Sequence, residues 1–128
     1  MANEVKILVV DDDLSVLESF KMILGIKDYY VKTAKNLEEA VAAAKAEKFN
    51  AAFIDLRFEG QEIGLDILTK LKEIDPAIGC VICTAYASEK SKISAVERGA
   101  IDYISKPFMM EVIYELIDRA LEKKSGKK

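Results

Sequence analysis

Histidine is absent from this sequence of 128 residues. Its absence excludes a histidine-activated serine or cysteine nucleophile, a histidine metal site and a phosphohistidine carrier. Long apolar runs are missing too: a membrane-spanning helix takes about 20 apolar residues, whereas the longest weakly polar stretch covers residues 77–87. The net charge is −3, which gives no electrostatic indication of a nucleic-acid partner. We therefore expect a domain that binds neither nucleic acid nor membrane directly.

Cysteine is scarce, and the two that are present, Cys80 and Cys83, are spaced as C-x-x-C. This spacing occurs in redox and zinc motifs. In a strand, however, residues i and i+3 point to opposite faces, so we interpret the two thiols as buried core residues. Unpaired cysteines suit a reducing compartment, and an apolar start that soon meets three aspartates is not a signal peptide. We expect a cytoplasmic protein.

The sequence does contain a regular alternation of short apolar runs with helical periodicity. The alternation predicts an α/β fold, in which a parallel sheet is covered by helices on both faces. A composition of 51% hydrophobic and 32% charged residues suits one globular domain,, assigned here to residues 1–124, with a flexible basic tail at 125–128. The predicted strands cover residues 5–10, 29–33, 50–56, 78–83 and 101–104, and the predicted helices begin near residues 14, 36, 65, 88 and 111. Asn36 and Ser88 are expected to cap the second and fourth helices, and the apolar residues of the first helix are Leu14, Leu17, Phe20 and Leu24.

Four of these apolar runs end in ionisable or hydroxyl side chains. Asp11–Asp13 follow the first run, and Asp55 closes the third. Thr84 follows the fourth run, and Lys106 follows the fifth. In a parallel α/β sheet the carboxyl ends of the strands face one crevice, where ligands bind. We therefore expect carboxylates, a hydroxyl and an ammonium group to converge on Asp55.

The carboxylates among these side chains predict a cation site. Asp11–Asp13 would repel Asp55, and Mg²⁺, which prefers oxygen ligands, would relieve that repulsion. Capping of the following helix by a member of the first group is an alternative interpretation. A carboxylate can also act as a nucleophile toward a phosphoryl group, helped by a positive charge and hydrogen-bond donors. Lys106 and Thr84 could supply these, although each alone could equally be a surface or turn residue.

Four segments carry a resemblance to a known family. They are Ile7–Asp12, Asp55–Arg57, Thr84–Tyr86 and Gly99–Phe108, with the sequences ILVVDD, DLR, TAY and GAIDYISKPF. In these segments the chain resembles the receiver domain of bacterial two-component response regulators, over about residues 4–122. The resemblance implies a doubly wound, flavodoxin-like sheet of five parallel strands in the order 2-1-3-4-5, with five helices. A member of this family is itself a standard example of that strand order.

The resemblance also implies how a phosphoryl group would be handled. Asp55 is expected to be the phosphoacceptor and to take the group from the phosphohistidine of a sensor histidine kinase. Thr84 and Lys106 are expected to bind the phosphoryl group, and they complete the catalytic set with Asp55. Such a domain is not an enzyme in the ordinary sense, because it catalyses only its own phosphorylation and dephosphorylation. The Lys106–Pro107 peptide bond is expected to be cis, as in the family.

A Mg²⁺ site follows from the same resemblance. Asp12 and Asp55 are expected to bind the ion directly and Asp11 through water, with the main-chain carbonyl of Arg57 completing the protein ligands. The loop at residues 57–64 departs from the family, because the usual Met-Pro pair is missing and one extra residue is present. This departure leaves the conformation of the loop open.

The resemblance also implies that signal output depends on an aromatic switch. When Thr84 moves toward the phosphoryl group, Tyr103 would fill the vacated space and shift the population of conformers. The affected face, built from residues 88–98, 101–104 and 111–123, is expected to bind a kinase, an output domain or a second copy of the chain. Arg57 and Tyr86, two residues beyond Asp55 and Thr84, are expected to slow attack by water on the phosphoryl group.

Two further interpretations compete with a working receiver. Residues 11–15 loosely fit the D-x-D-x-[TV] nucleophile motif of haloacid-dehalogenase-type phosphotransferases. The chain, however, lacks room for a cap domain, no acidic pair follows the later lysine, and Asp55 would have no role. A degenerate receiver that acts only as a binding module is the other alternative, and the intact set of acidic, hydroxyl and lysine residues argues against it. A flavin-binding module is disfavoured because no phosphate-cradling loop follows the first strand.

Overall fold

The structure is a computed structural model that describes residues 4–124, so the tail predicted at 125–128 lies outside the described residues. Strands and helices alternate along these residues, as predicted. The strands are β1 Lys6–Val10, β2 Tyr30–Ala34, β3 Ala51–Asp55, β4 Gly79–Thr84 and β5 Asp102–Ser105, and the helices are α1 Leu14–Gly25, α2 Leu37–Ala46, α3 Ile63–Ile74, α4 Glu89–Glu97 and α5 Met110–Lys124.

The strands form one parallel sheet in the order β2-β1-β3-β4-β5, which confirms the predicted α/β architecture. The apolar strand β3 is central, and its first four residues are buried. The less apolar β2 lies at one edge and β5 at the other. In the register of the sheet, Asp55 is opposite Cys83 and Thr84 is opposite Ser105. The polar ends of β3, β4 and β5 therefore lie side by side.

Helices cover both faces of the sheet and enclose two apolar cores. Successive residues of β1 alternate between the cores, as the two-residue period of a strand requires. Leu8 and Val10 belong to the core that includes residues of α2, α3 and α4, whereas Ile7 and Val9 belong to the core that includes residues of α1 and α5. Strands buried on both faces explain why these runs read as continuously apolar.

The two cysteines lie in different cores. Cys80 packs in the core beneath α2, α3 and α4, and Cys83 packs in the core beneath α1 and α5. Both thiols are buried and unpaired. Burial raises the pKa of Cys80 to about 12 and raises the pKa of Cys83 as well,. The divergence predicted from strand geometry is confirmed, so the C-x-x-C spacing does not create a shared redox or zinc pair.

Short polar side chains start the helices that flank the crevice. Asp13 caps α1, and its Oδ1 accepts a hydrogen bond from the Ser15 N–H at 2.9 Å. The predicted caps of α2 and α4 are confirmed: Asn36 accepts from the Glu39 N–H at 2.8 Å, and the hydroxyl of Ser88 accepts from a main-chain N–H of the first turn of α4. Each cap satisfies a main-chain donor that the helix itself leaves unpaired.

The first helical residue, Leu14, does not pack in the core. The sequence periodicity had grouped Leu14 with Leu17, Phe20 and Leu24, but Leu14 is exposed whereas the other three are buried. The face of α1 that packs on the sheet therefore starts one turn later, at Leu17. Among residues 4–124, no helix is long and apolar enough to span a membrane.

The loop between β3 and α3, whose conformation the sequence left open, closes as a tight turn. Phe58 and Gln61 exchange two main-chain hydrogen bonds of 2.9 and 3.1 Å. Between them, Glu59 and Gly60 have φ angles of 53° and 82°, as a two-residue hairpin turn of the primed type requires. The buried ring of Phe58 anchors the turn to the core. A hydrogen-bonded turn thus takes the place of the Met-Pro pair that the family resemblance would imply.

Candidate functional site

The carboxyl ends of four strands meet at one edge of the sheet. Asp11 follows β1, Asp55 ends β3, Thr84 ends β4 and Lys106 follows β5. The main-chain N–H of Lys106 donates to the carbonyl of Thr84 at 2.8 Å, which fixes β5 against β4 at the point where both strands leave the sheet. The peptide bond between Lys106 and Pro107 is cis, as expected.

Three carboxylates cluster at this edge. One oxygen from each of Asp11, Asp12 and Asp55 lies within 4.8 Å of the others. Asp11 is buried, the side chain of Asp55 is largely buried, and Asp12 is exposed. Mg²⁺ binds oxygens at about 2.0–2.1 Å in an octahedron, which places two ligands of one ion about 3–4 Å apart. The spacing and the all-oxygen donor set therefore fit Mg²⁺, with an open side at Asp12.

Lys106 connects two of the carboxylates. Its Nζ lies 3.0 Å from Oδ2 of Asp11 and 3.2 Å from Oδ1 of Asp55. Burial alone would lower the pKa of Lys106, but the hydrogen bond and charge of Asp11, together with the charge of Asp55, outweigh it and raise the pKa. The ammonium group therefore remains charged at neutral pH beside the predicted phosphoacceptor.

Asp55 has a carboxyl group that is easier to protonate than usual. Burial, followed by the charge of Asp11, raises its pKa to about 6, and Lys106 offsets part of this effect,. At neutral pH the group is still mainly ionised, and its location makes ionisation costly. Neutralising this carboxylate is therefore favourable, and either a bound cation or a covalent bond to a phosphoryl group would neutralise it.

Thr84 and Tyr86 are linked at the end of β4. The Tyr86 N–H donates to the hydroxyl oxygen of Thr84 at 2.9 Å, and Thr84 is buried whereas Tyr86 is 70% exposed. The hydroxyl proton of Thr84 stays available to a further acceptor, because the oxygen acts as acceptor in this bond. The structure thus places a hydroxyl donor at the same edge as the carboxylate cluster, as the sequence predicted.

Arg57 lies in the loop after Asp55 and contacts that loop through its guanidinium group. Nη1 donates to the carbonyl of Gly60 at 3.3 Å, and Nη2 lies 3.9 Å from Oε2 of Glu62. The guanidinium carbon lies 5.5 Å from the ring centroid of Tyr86, in a cation–π contact,. Nε is buried and has no hydrogen-bond partner among residues 4–124. The predicted role of the Arg57 carbonyl as a metal ligand stays a prediction.

The predicted switch residue, Tyr103, belongs to β5, and its hydroxyl reaches the start of α4. Its ring packs against the core beneath α2, α3 and α4. Its hydroxyl accepts a hydrogen bond from the Ser88 N–H at 3.2 Å and bonds to the hydroxyl of Ser91. Sequence reasoning named Tyr103 but missed Ser91. The available signal was the spacing of Ser88 and Ser91, which puts both serines on one side of the first turn of α4.

Comparison with known proteins decides the family. The family model described as the response regulator receiver domain matches residues 7–118. The chain belongs to the response regulator receiver family. The fold, the strand order and the helix count agree with this assignment, and the dehalogenase interpretation of residues 11–15 receives no support from it.

Relatives of this receiver are longer proteins. The chain is 35% identical over 102 residues to the alginate biosynthesis transcriptional regulatory protein AlgB of Pseudomonas aeruginosa, covering 80% of this chain and 22% of AlgB. It is 31% identical over 117 residues to the nitrogen assimilation regulatory protein NtrX of Azorhizobium caulinodans, covering 91% of this chain and 26% of NtrX. The chain thus spans about a quarter of the length of these curated relatives.

Solved receiver structures superpose closely on this chain. A CheY-like response regulator receiver domain protein from Methanospirillum hungatei has a TM-score of 0.90 and 31% identity, with 98% of this chain and 100% of that chain covered. A response regulator from Burkholderia pseudomallei has a TM-score of 0.84 and 30% identity, with 97% and 73% covered. That crystal structure contains a phosphorylated aspartic acid, a calcium ion and citrate.

Proposed function

We propose that this receiver accepts a phosphoryl group on Asp55, from the phosphohistidine of a sensor histidine kinase, in a Mg²⁺-dependent reaction in the cytoplasm. The observation that carries the proposal is the position of Lys106, whose ammonium group lies within 3.2 Å of both Asp11 and Asp55 in the carboxylate cluster. The phosphorylated aspartic acid of the Burkholderia relative supports the same chemistry for this chain.

The transfer itself requires little covalent help from the protein. An oxygen of ionised Asp55 forms a bond to phosphorus while the bond between phosphorus and the imidazole nitrogen of the kinase breaks, and the electron pair stays on that nitrogen. Lys106 neutralises charge on the phosphoryl oxygens as a point charge, and the Thr84 hydroxyl donates a hydrogen bond to one of them. A pKa of about 6 keeps Asp55 mainly ionised at neutral pH, as a nucleophile must be.

The carboxylate cluster would hold the metal. Asp12 and Asp55 would bind Mg²⁺ directly and Asp11 through water, with the carbonyl of Arg57 as a further ligand. When bound, the ion supplies positive charge that neutralises both the carboxylates and the phosphoryl oxygens. The support for this assignment is the close spacing of three carboxylate oxygens at an open edge of the sheet.

A bound phosphoryl group would then be protected from water. Arg57 and Tyr86 contact each other in the loops that follow β3 and β4, the strands that end in Asp55 and Thr84. We assign them the role of slowing hydrolysis, by covering the approach to Asp55. The contact supports this role, because it makes the two side chains act as one cover rather than as two independent groups.

The signal would be transmitted to a partner through the face formed by α4, β5 and α5. Phosphorylation adds about −1.5 to −2 charge and strong acceptors, which attract the Thr84 hydroxyl and shift the conformers of Tyr103 on this face. Ile93 and Val96 of α4 are 50% and 56% exposed, an apolar surface suited to a protein partner. An output domain or a second copy of the chain would bind there, in keeping with relatives that are transcriptional regulators.

Incubation with acetyl phosphate and Mg²⁺, followed by intact-protein mass spectrometry, tests the function. A gain of one phosphoryl group that is abolished by EDTA is the expected result. The matched variants are Asp55→Asn, which should gain nothing, and Asp13→Asn, which alters a neighbouring carboxylate outside the cluster and should behave as the wild type. If the wild type gains no phosphoryl group, the alternative of a degenerate receiver that acts only as a binding module is favoured.

A further inference from the structure

Tyr103 is held by a closed set of hydrogen bonds at the start of α4. The Ser88 N–H donates to the Tyr103 hydroxyl at 3.2 Å, and the Tyr103 hydroxyl bonds to the Ser91 hydroxyl. The Ser91 hydroxyl in turn donates to the Ser88 carbonyl at 3.3 Å. The Ser91 hydroxyl also lies 2.9 Å from the Ser88 hydroxyl, so Ser91 is bonded to both Ser88 and Tyr103. We call these three residues the α4 clasp.

The clasp is buried at its centre. Ser91 is 2% exposed, and its neighbours in the helix are the cap Ser88 and the core residue Ala95. A buried hydroxyl needs partners, because without them it loses the hydrogen bonds that water would otherwise make, at a cost in free energy. The Ser91 hydroxyl therefore has the Tyr103 hydroxyl as a partner when the ring lies inward, and it loses that partner when the ring turns outward.

The clasp is connected to the predicted phosphoryl site by one short loop. Thr84 starts the loop, and its hydroxyl oxygen accepts from the Tyr86 N–H at 2.9 Å. Ser88 ends the loop, and its N–H donates to Tyr103. A movement of Thr84 would release Tyr86 and alter the same stretch of main chain that presents the Ser88 N–H. A movement of Thr84 would thus affect Tyr103 through these hydrogen bonds, in addition to the space that Thr84 vacates.

We propose that Ser91 is a positioning residue, which holds Tyr103 inward before any phosphorylation occurs and so sets the resting state of the output face. Its meaning for signalling rests on the proposed function. Because the ring already lies mainly inward, phosphorylation has to shift the population of Tyr103 conformers by a smaller amount. The clasp also couples this shift to the first turn of α4, because Ser88 both caps the helix and binds the phenol.

Ser91→Ala removes the bond between Ser91 and Tyr103 while leaving the cap of the helix intact. The cap bond in this turn uses the main-chain N–H of residue 91 and the Ser88 hydroxyl, and both survive the substitution. Alanine also has a higher helix propensity than serine. A change in Tyr103 that follows from Ser91→Ala therefore cannot be ascribed to unwinding of α4, and circular dichroism should show unchanged helix content. Ser94→Ala, which deletes a hydroxyl elsewhere in the same helix, is the matched control.

The χ1 populations of Tyr103, measured by NMR three-bond couplings in the unphosphorylated protein without Mg²⁺, test the clasp. The wild type and Ser94→Ala should have a mainly inward ring, and Ser91→Ala should raise the outward-to-inward ratio on the order of five- to tenfold, the effect of one lost hydrogen bond. In a Tyr103→Phe background, the further change Ser91→Ala should leave the ring populations unchanged, because no phenol remains to be held.

Two outcomes would overturn the inference. One is an unchanged Tyr103 population in Ser91→Ala, and the other is an equal shift in the Tyr103→Phe background, which would indicate a packing effect. Because these measurements use protein without phosphate, they succeed or fail independently of the proposed function. Repeating them with beryllofluoride and Mg²⁺ on Ser91→Ala, in which the ring starts more outward, separates the two: failure of the Tyr103 ring to move inward there would count against the proposed signalling only.

Discussion

The guanidinium group of Arg57 lies against the ring of Tyr86, with 5.5 Å between the guanidinium carbon and the ring centroid. These residues come from different loops, which follow the strands ending in Asp55 and Thr84. Glu62 and the carbonyl of Gly60 contact the same guanidinium group, so the tight turn after β3 orients Arg57 toward Tyr86. The contact therefore connects the loops that follow β3 and β4.

Arg57→Ala and Tyr86→Ala should each shorten the lifetime of the phosphoryl group on Asp55. We expect hydrolysis to accelerate roughly two- to tenfold, because each change removes bulk and a contact of cation–π strength. The double variant should be little faster than either single one, since the side chains act as one cover. The decay of the phosphorylated mass with time measures the rate, with the exposed residue change Lys90→Ala as control. Unchanged lifetimes would remove the shielding role from both residues.

Ionised Asp55 should destabilise the metal-free fold. Its pKa of about 6 in the folded protein exceeds the usual value of about 3.9 expected in the unfolded chain. Because the folded pKa is the higher one, the stability contribution of Asp55 is fully present below about pH 4 and is lost as the pH rises through about 6. Asp55→Asn should therefore raise the free energy of unfolding by about 1–3 kcal/mol at neutral pH without Mg²⁺.

Urea unfolding in EDTA, from about pH 5 to about pH 7.5, measures this difference. The stability advantage of Asp55→Asn should shrink as the pH falls, since the wild-type carboxyl group becomes protonated in the folded state. An advantage that stays constant or grows toward low pH would contradict the role assigned to burial and to Asp11.

Mg²⁺ should stabilise the wild type and lose this effect when a predicted ligand is removed. At a concentration about a hundredfold above its Kd, an ion that binds the folded state alone adds about 2.7 kcal/mol to the free energy of unfolding. Asp12→Asn should abolish most of the gain, whereas Asp13→Asn, which preserves the helix cap, should retain it. Thermal unfolding with and without EDTA gives the comparison, and equal responses in the two variants would place the ion elsewhere.

Gly64→Ala should disturb the site through the main chain. A Cβ atom at position 64 would lie 2.1 Å from the carbonyl oxygen of Asp55 and 2.8 Å from Cα of Leu56, so the start of α3 or the end of β3 must move. Overpacking of this kind typically costs about 1–3 kcal/mol. Gly25→Ala is the matched control, because nothing lies within 4 Å of the added methyl group, and chemical unfolding compares both. If Gly64→Ala has the same free energy of unfolding as the wild type, the main chain around position 64 adjusts to the added methyl group without cost.

The fold was largely predictable from the sequence because apolar runs, helix caps and strand-end residues agreed with one another. The continuous apolar character of residues 51–54 indicated a central strand, and the polar residues after four strands indicated the edge at which they meet. The cap Asn36 and the divergence of the two cysteines followed from local geometry alone. The exact strand order came from the family resemblance, since alternation by itself allows other orders.

The turn after β3 and the contacts between residues of different elements could not be predicted from the sequence pattern. The turn at Phe58–Gln61 depends on positive φ angles at Glu59 and Gly60, and a glutamate gives no sequence signal for such a conformation. The bond between Ser91 and Tyr103 joins a helix to a strand 12 residues later, and its existence depends on how α4 packs. The stacking of Arg57 on Tyr86 likewise requires the relative placement of two loops.

Borohydride reduction identifies the residue that carries the phosphoryl group, which we propose is Asp55. The wild-type protein is phosphorylated with acetyl phosphate and Mg²⁺ and then reduced, which converts an acyl phosphate of aspartate to homoserine, and peptide mass spectrometry locates the converted residue. We predict homoserine at position 55 alone. Homoserine at position 11 or 12, or a stable phosphoryl group on a serine or threonine with position 55 unchanged, would contradict the account.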